Sequence, residues 1–326
     1  MNWKKITIVI MGIVAGLIEL VIYAIIIVPY FKPVTITGKY TPYVFSLKNN
    51  YAIIHDYLGD EEEVTIPSYL WFHKVTRIEE KDLLYYDDIR PFYENQTVKK
   101  VIIPHTVTEI SESFCKCTNL EEVILSNNLH TIDSSFKLCS SLESLILPDG
   151  VEKVLYSYSG CEKLAHVEIS DSVYWIDGSF RNCPELKEVI IPDTVEEIDS
   201  GSFSNSFWKD SIQDEFVIAG KNCLIGYNGN DKEVYVPHGV EYLDAFVFDT
   251  EIVETIHIPK TVTAMDMTAF NYAEKLKYLI LDSDEICLTG SIWADQSVYT
   301  IIANPGSTGE LYAIENNIPV MSDIEK

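Results

Sequence analysis

The stretch Cys117–Leu125, "CTNLEEVIL", is one of four segments that share a common pattern. The other three segments are "CSSLESLIL" from Cys139, "CEKLAHVEI" from Cys161 and "CPELKEVII" from Cys183. Each cysteine follows the previous one by 22 residues and begins the pattern Cys-x-x-Leu-x-x-(Val/Leu)-x-(Ile/Leu). A repeat with a fixed period of about 20–50 residues is typical of a solenoid, a propeller or an array of small units.

The repeat extends beyond the cysteine segments to seven positions, which match over four successive turns without a gap. In the first turn these positions are Val107, Ile110, Phe114, Cys117, Leu120, Val123 and Leu125. The second turn has Leu129, Ile132, Phe136, Cys139, Leu142, Leu145 and Leu147. Because all seven are apolar or small, we expect them to form the inward face of each turn.

The same register continues in both directions with a few changes. Pro237 and Pro259 are again 22 residues apart. Toward the N-terminus the pattern fits if five residues are inserted before Val75 and ten after Ile78. We therefore predict an insertion near residues 79–90 and a degenerate repeat near residues 204–236.

The end of each segment predicts a short strand, because alternating apolar residues point to one face of a strand. One turn cannot bury its inward residues alone, whereas stacked turns bury a continuous core. Stacking also pairs the strands in parallel at about 4.8 Å per turn. The sequence therefore predicts a mostly β solenoid of about ten coils between Tyr51 and Ile302.

The N-terminal residues have a different character. Ile6–Val28 contains 23 residues and a single charge, Glu19. As a helix it would be roughly 35 Å long, which is enough to cross a hydrocarbon core of about 30 Å. A cleaved secretory signal is the competing interpretation, but the sequence near Pro29 has no small-x-small cleavage site. A retained transmembrane helix over residues 6–28 is the favoured prediction.

Lysines before this span predict its orientation, because basic residues tend to stay on the cytoplasmic side. The chain is then a single-pass protein of the cell membrane, with its N-terminus in the cytoplasm and its repeats outside. Glu19 would lie within the span, either as a tolerated protonated carboxyl or as a contact between membrane helices. The predicted segments are a tail at 1–5, a linker at 29–50, the solenoid at 51–302 and a C-terminal cap at 303–326.

The charge of the chain limits its partners. The formal net charge is −26, and the part after Val28 has 22 basic against 49 acidic residues. Nucleic-acid binding requires a basic surface, so nucleic acid is excluded as an expected partner.

The repeats resemble those of the BspA-like leucine-rich repeat surface proteins. The resemblance is carried by "VIIPDTVEEIDSGSFSN" from Val189, by "CSSLESLILP" from Cys139 and by the ending "NPGSTGELYAIENNIPV" from Asn304. It covers Tyr51–Val320 and implies a leucine-rich repeat solenoid whose strands line a concave face. The class occurs on bacterial and protozoan surfaces and is associated with adhesion and protein binding, so the resemblance implies an extracellular protein or glycan partner.

The cysteine column at Cys117, Cys139, Cys161 and Cys183 allows three interpretations. A zinc site requires short Cys-x2-Cys pairs, and the sequence has no matching pairs. Disulfides between neighbouring coils remain open, because stacking brings successive cysteines near each other. A column of buried free thiols is the favoured prediction, since a thiol can act as a small apolar group.

Catalytic motifs are missing from the sequence. The seven histidines are scattered, and there is no His-Glu-x-x-His, Gly-x-Ser-x-Gly or phosphate-binding glycine loop. We therefore expect no enzymatic activity, no cofactor and no metal site.

The outward positions of the predicted strands are the candidate binding residues. Within the part Leu-x-x-Val-x-Leu of the pattern, the fifth residue points away from the core, and its members are Ile102, Ile124, Ile146, Glu168 and Ile190, with His257 and Ile280 at the same position in later coils. Glu122 and Glu188 lie beside this row. The isoleucines are explained either by β-propensity alone or by a contact surface for a partner.

Three functions follow, in decreasing order of preference. The first is a membrane-anchored bacterial surface protein that binds a protein or glycan and mediates adhesion. The second is a structural spacer or envelope component without a specific ligand. The third, an enzyme, is remote.

Overall fold

Two stacks of short strands enclose the hydrophobic core, which consists of two clusters of buried residues. The computed structural model describes residues 42–48, 50–79, 91–199, 201–248, 251–290 and 299–322. These residues form a parallel-strand solenoid of about 11 turns with little helix. The predicted solenoid is therefore confirmed.

The first stack consists of a nine-stranded and a five-stranded sheet. The nine-stranded sheet contains β1 (Tyr43–Leu47), β2 (Tyr51–Tyr57), β4 (Tyr69–Leu70), β5 (His73–Ile78), β7 (Glu109–Ser111), β9 (Thr131–Asp133), β11 (Lys153–Leu155), β13 (Trp175–Asp177) and β15 (Glu197–Asp199). The five-stranded sheet contains β16 (Phe216–Ala219), β17 (Cys223–Tyr227), β19 (Tyr242–Leu243), β21 (Ala264–Asp266) and β23 (Cys287–Thr289).

The second stack is formed by the strands that end the repeat pattern. Its first two sheets contain β3 (Glu63–Thr65), β6 (Lys100–Ile102) and β8 (Glu122–Ile124), then β10 (Ser144–Ile146), β12 (His166–Glu168) and β14 (Glu188–Ile190). Its third sheet contains β18 (Glu233–Tyr235), β20 (Thr255–Ile258), β22 (Tyr278–Leu281), β24 (Thr300–Ala303) and β25 (Val320–Ser322).

In the part of the chain that the structure describes, helical structure is confined to the connections. The helix α1 (Phe207–Ser211) precedes the antiparallel hairpin β16–β17, and a 3-10 turn spans Met267–Phe270. The helix α2 (Thr308–Glu315) precedes β25, so a helix and a final strand occupy the segment predicted as the C-terminal cap. The segment predicted as a degenerate repeat near residues 204–236 is thus α1, the hairpin and β18.

The N-terminal boundary of the folded part differs from the prediction. The strand β1 pairs antiparallel with β2 and lies within the range 29–50 that was predicted as a linker. The strand is stabilised by core burial, since the Phe45 side chain is fully buried. A hairpin therefore begins each block of coils, with β1–β2 at the start and β16–β17 in the middle.

Several predicted segments lie outside the described residues. They are the tail at 1–5, the span at 6–28 with Glu19, most of the linker, the insertion from residue 80 to 90 and the last four residues. Among the described residues, none of the helices has the length and hydropathy needed to cross a bilayer.

The inward positions form the core as the repeat predicts. Val107, Ile110, Phe114, Cys117 and Leu120 are buried, and their equivalents in the next three coils are buried too. A few positions at the end of the pattern are only partly buried and pack against the core from its edge: Val123, Leu125, Val189 and Ile191.

A column of aromatic rings runs through six successive coils of this core. Its members are Phe92, Phe114, Phe136, Tyr158, Phe180 and Phe203, whose neighbouring centroids are 4.5–5.5 Å apart. Every one of these residues has a positive φ, between 58° and 65°. That conformation costs about 1–2 kcal/mol for a residue with a Cβ. Burial of an aromatic side chain contributes about 1.5–3 kcal/mol and stacking adds ~1 kcal/mol, so burial and stacking outweigh the strain.

Two polar ladders accompany the aromatic column. The backbone N–H groups of Ser113, Ser135 and Ser157 each donate to the hydroxyl of the serine one coil later, at 3.1 Å. The thiols of Cys117 and Cys139 donate to the carbonyl oxygens of the aromatic residues one coil earlier, at 2.9 and 3.1 Å. The ladders satisfy buried polar groups that would otherwise destabilise the stack.

All seven cysteines are free, and only Cys287 is exposed. Burial raises the pKa of the Cys117 and Cys183 thiols to about 12. It raises the pKa of Cys139 and Cys161 well above the ordinary value as well. Since the thiolate is the reactive form, the four column thiols are protected by both burial and protonation.

We expect Leu145→Asp to lower the free energy of unfolding by at least about 3 kcal/mol, because it removes a core side chain and buries a carboxyl. Leu145 is 2% exposed, whereas the adjacent Ile146 is 63% exposed and provides the matched control. Ile146→Asp should leave the melting temperature within a few degrees of the wild type. Equal destabilisation by both variants, measured by thermal or urea denaturation, would contradict the strand register.

We expect a thiol reagent at pH 8 to modify one cysteine rapidly in the native protein and seven after denaturation. The rapid reaction belongs to Cys287, so Cys287→Ser should remove it. Fewer than seven reactive thiols in denatured, unreduced protein would show a disulfide in the column. Several rapid thiols in the native protein would show that the column is open to solvent.

Candidate binding face

The outward positions of the second stack are in register within each of its first two sheets. Ile102 on β6 is opposite Ile124 on β8. Ile146 on β10 is opposite Glu168 on β12, which in turn is opposite Ile190 on β14. The structure therefore places the five predicted outward residues on one side of the solenoid, and this row is named the isoleucine row below.

Most side chains of the isoleucine row are open to solvent. Ile124, Ile146 and Ile190 are 41, 63 and 55% exposed, and Glu168 is exposed as well. Ile102 is half-buried and contributes less surface. The inward neighbours Val101, Leu145 and Val167 are buried, so the strands separate a core face from a solvent face as alternation requires.

The acidic flank of the row is paired with basic groups of the same molecule. Lys100 Nζ lies 2.6 Å from a carboxylate oxygen of Glu122. His166 Nδ1 lies 3.2 Å from a carboxylate oxygen of Glu188. Both predicted acidic residues therefore already have an intramolecular partner, and Glu168 is the carboxylate that lies within the row itself.

An aromatic cluster occupies the same face on the following block of coils. Tyr235 is 62% exposed, and its ring stacks on His257 with centroids 4.0 Å apart. Glu233 accepts hydrogen bonds from the Tyr235 hydroxyl and from the His257 ring, each at 2.9 Å. These hydrogen bonds, the one from His257 foremost, hold the pKa of Glu233 below its usual value.

Sequence reasoning placed His257 on this face and missed Tyr235. The miss has a physical cause, because α1 and the hairpin β16–β17 separate β14 from β18 and interrupt the 22-residue count. The position of the following proline would have identified Tyr235 in the sequence, because Tyr235 lies two residues before Pro237 as Ile190 lies two before Pro192.

A groove lies where the two blocks of coils meet. Its volume is about 640 Å³, and its lining includes Arg181, Asn205, Tyr227, Phe246 and Tyr272. Amide and charged groups line it together with aromatic rings, which is a polar surface distinct from the isoleucine row. No catalytic pair of nucleophile and base was predicted for these positions.

Metal-ligating groups are dispersed in the described part of the chain. No group of three or more His, Cys, Asp or Glu side chains there is arranged to hold an ion. The column cysteines are one to a coil and donate to backbone carbonyls, as described above. Their placement is that of small packing groups beside the backbone of the aromatic column.

Comparison with solved structures finds several bacterial leucine-rich repeat proteins. One from Bacteroides ovatus is 19% identical with a TM-score of 0.49, and the match covers 88% of this chain and 76% of that one. A leucine rich cell surface protein from Faecalibacterium prausnitzii is 19% identical with a TM-score of 0.36, covering 91% and 96%. The pneumococcal vaccine antigen PcpA is 14% identical with a TM-score of 0.45, covering 90% and 100%.

Family membership rests on a different comparison. No curated protein matches the sequence. The model of the BspA type leucine rich repeat region matches in six copies, over residues 88–209 and 155–277. The two matched ranges overlap and together span more than half of the chain, and they include the cysteine segments and the isoleucine row. The chain belongs to the BspA-type leucine-rich repeat family.

Proposed function

We propose that this chain is a membrane-anchored bacterial surface protein whose solenoid binds a protein or glycan partner and mediates adhesion. Leucine-rich repeat proteins generally mediate protein binding. The observation that carries the proposal is the row of exposed isoleucines on the outward face of the second stack.

β-Branched residues such as isoleucine are common in any strand. Where they are exposed on neighbouring strands, they also create an apolar surface. The three most exposed isoleucines form an apolar row that Glu168 interrupts. Burying one isoleucine side chain contributes about 1.5–3 kcal/mol. Three of them supply several kcal/mol, of which only the surplus over the cost of association remains as affinity.

The partner that fits this face has an apolar ridge with a basic group near its centre. Glu168 lies between Ile146 and Ile190, so a cation on the partner would meet it inside the apolar row. The paired carboxylates of Glu122 and Glu188 attract a basic partner more weakly, because Lys100 and His166 already lie beside them. The net charge of −26 favours approach of cationic partners over long distances.

The proposed anchor is residues 6–28, with the solenoid outside the cell. Its support is the length and hydropathy of the span and the two lysines that precede it. The alternative of a spacer without a ligand makes the same topology prediction but requires no binding.

We expect the triple change Ile124/Ile146/Ile190→Thr to weaken attachment to the partner at least tenfold. Threonine keeps the β-branched shape, so the melting temperature should stay close to that of the wild type. Tenfold corresponds to about 1.4 kcal/mol, a fraction of the apolar contribution of three isoleucines. Retention is measured on immobilised matrix proteins, on a glycan array and on intact cells.

Ile218→Thr is the matched control for this test, because Ile218 is 45% exposed but lies on β16 in the first stack. It should leave attachment unchanged. Unchanged attachment of the folded triple variant would show that the isoleucine row is not the binding face. A wild-type chain that attaches to none of the surfaces would favour the spacer.

We expect protease added to intact protoplasts to remove a tag fused after Lys326 and to spare a tag fused before Met1. The reason is the position of Lys4 and Lys5 on the cytoplasmic side of the span. The measurement is immunoblotting of both tags, with detergent-opened cells as the control. A protected C-terminal tag would contradict the proposed topology. The binding face is tested separately, by the attachment measurements above.

A further inference from the structure

A short hairpin on the first complete coil exposes aromatic side chains. The strands β4 and β5 pair antiparallel, with Leu70 opposite His73, so Trp71 and Phe72 form a two-residue turn. Phe72 is 92% exposed, the largest exposure of any large apolar side chain that the structure describes. Tyr69 and Trp71 are 56 and 46% exposed.

The hairpin is an addition to the repeat. In the coils that follow, the first inward residue comes three positions after the proline, as in Pro104 to Val107. In this coil the distance from Pro67 to Val75 is eight positions, so five extra residues are present. Because the other coils complete the same turn without them, the solenoid itself does not require the hairpin.

The turn has unfavourable residues for its conformation. Two-residue hairpin turns favour glycine, asparagine and aspartate at positions of positive φ, whereas Trp71 has a φ of 57°. The aromatic column tolerates the same φ because its rings are buried and stacked. The Trp71 ring is nearly half exposed, so burial within the solenoid offsets much less of the strain.

We propose that this hairpin inserts its tip into the interfacial layer of the bilayer from which the chain emerges. The inference rests on the proposed anchor at residues 6–28. Tryptophan and tyrosine are the side chains that concentrate at membrane interfaces. Lys74 is exposed, pairs with Tyr69 across the hairpin and lies opposite Tyr51 on β2, so an amphipathic lysine accompanies the aromatic groups.

Chain length keeps the hairpin near that surface. Only residues 29–41 separate the predicted span from Pro42, where the described structure begins. A fully extended chain of this length reaches at most about 50 Å. The first coils therefore remain at a high effective concentration beside the bilayer, so a weak interfacial contact suffices.

Charge identifies the kind of lipid surface that suits the hairpin. The chain has a net charge of −26, and the acidic run Gly59–Val64 lies a few residues before the hairpin. Anionic headgroups would repel this charge, so the contact is with a zwitterionic interface and comes from the aromatic rings. With the anchor, it gives the solenoid two attachments and restricts its rotation about the linker.

The test measures tryptophan emission from the full chain in phosphatidylcholine vesicles with and without bromine on the acyl chains, since bromine quenches nearby rings. The difference between the wild type and Trp71→Phe isolates the emission of Trp71. We expect brominated vesicles to reduce that emission at least twofold. Phe72→Ser, at a site open to solvent, should leave the melting temperature unchanged and reduce the quenching.

Two further tryptophans separate the possible failures. Trp3 precedes the predicted span, and Trp175 lies half-buried on β13 far along the solenoid. Quenched Trp3 with unquenched Trp71 would overturn the hairpin contact and uphold the anchor. Absence of quenching at both would overturn both proposals. Equal quenching of Trp71 and Trp175 would mean that the whole solenoid lies on lipid, which overturns a specific contact by the hairpin.

Discussion

The fold depends on the contact between one coil and the next at the aromatic column. Each ring of Phe114, Phe136 and Tyr158 occupies a strained left-handed conformation, and the strain is offset only when rings above and below bury it. A single coil would therefore be unstable, because it would bear the backbone cost without the stacking. The serine and cysteine ladders pass through the same contact, since each hydrogen bond joins two different coils.

This dependence explains why so much of the fold could be predicted from the sequence. A position that packs between equivalent residues of the coil before and the coil after keeps the same type of residue in every turn. The repeat is therefore visible in the sequence wherever neighbouring coils are alike. Val107 to Leu120 and their equivalents were predicted to be inward, and they are buried. The serine ladder follows the same 22-residue period and was missed, although the period of Ser113, Ser135 and Ser157 gives it in the sequence.

The rest could not be predicted, because its residues are not constrained by an identical neighbour. The strand β1 pairs antiparallel at the end of the stack, where no earlier coil exists, and its counterpart β16 also lies outside the 22-residue pattern. Tyr235 lies beyond an interruption of the count, so periodicity could not place it. The exposed tip at Trp71 and Phe72 belongs to extra residues that no repeat position predicts. Residues that depart from the 22-residue period are therefore placed by local interactions and not by an equivalent residue in the next coil.

The same argument gives weight to the isoleucine row. An outward position on the second stack faces away from the core, and Glu168, Tyr235 and His257 occupy it as well as isoleucine. The stacking contact therefore does not select isoleucine at this position, unlike valine or leucine one residue earlier. β-Propensity would be met equally by threonine or tyrosine, which cost less to expose to water. Recurrence of an exposed apolar residue where the fold permits polar ones is better explained by a contact that the solenoid itself does not provide.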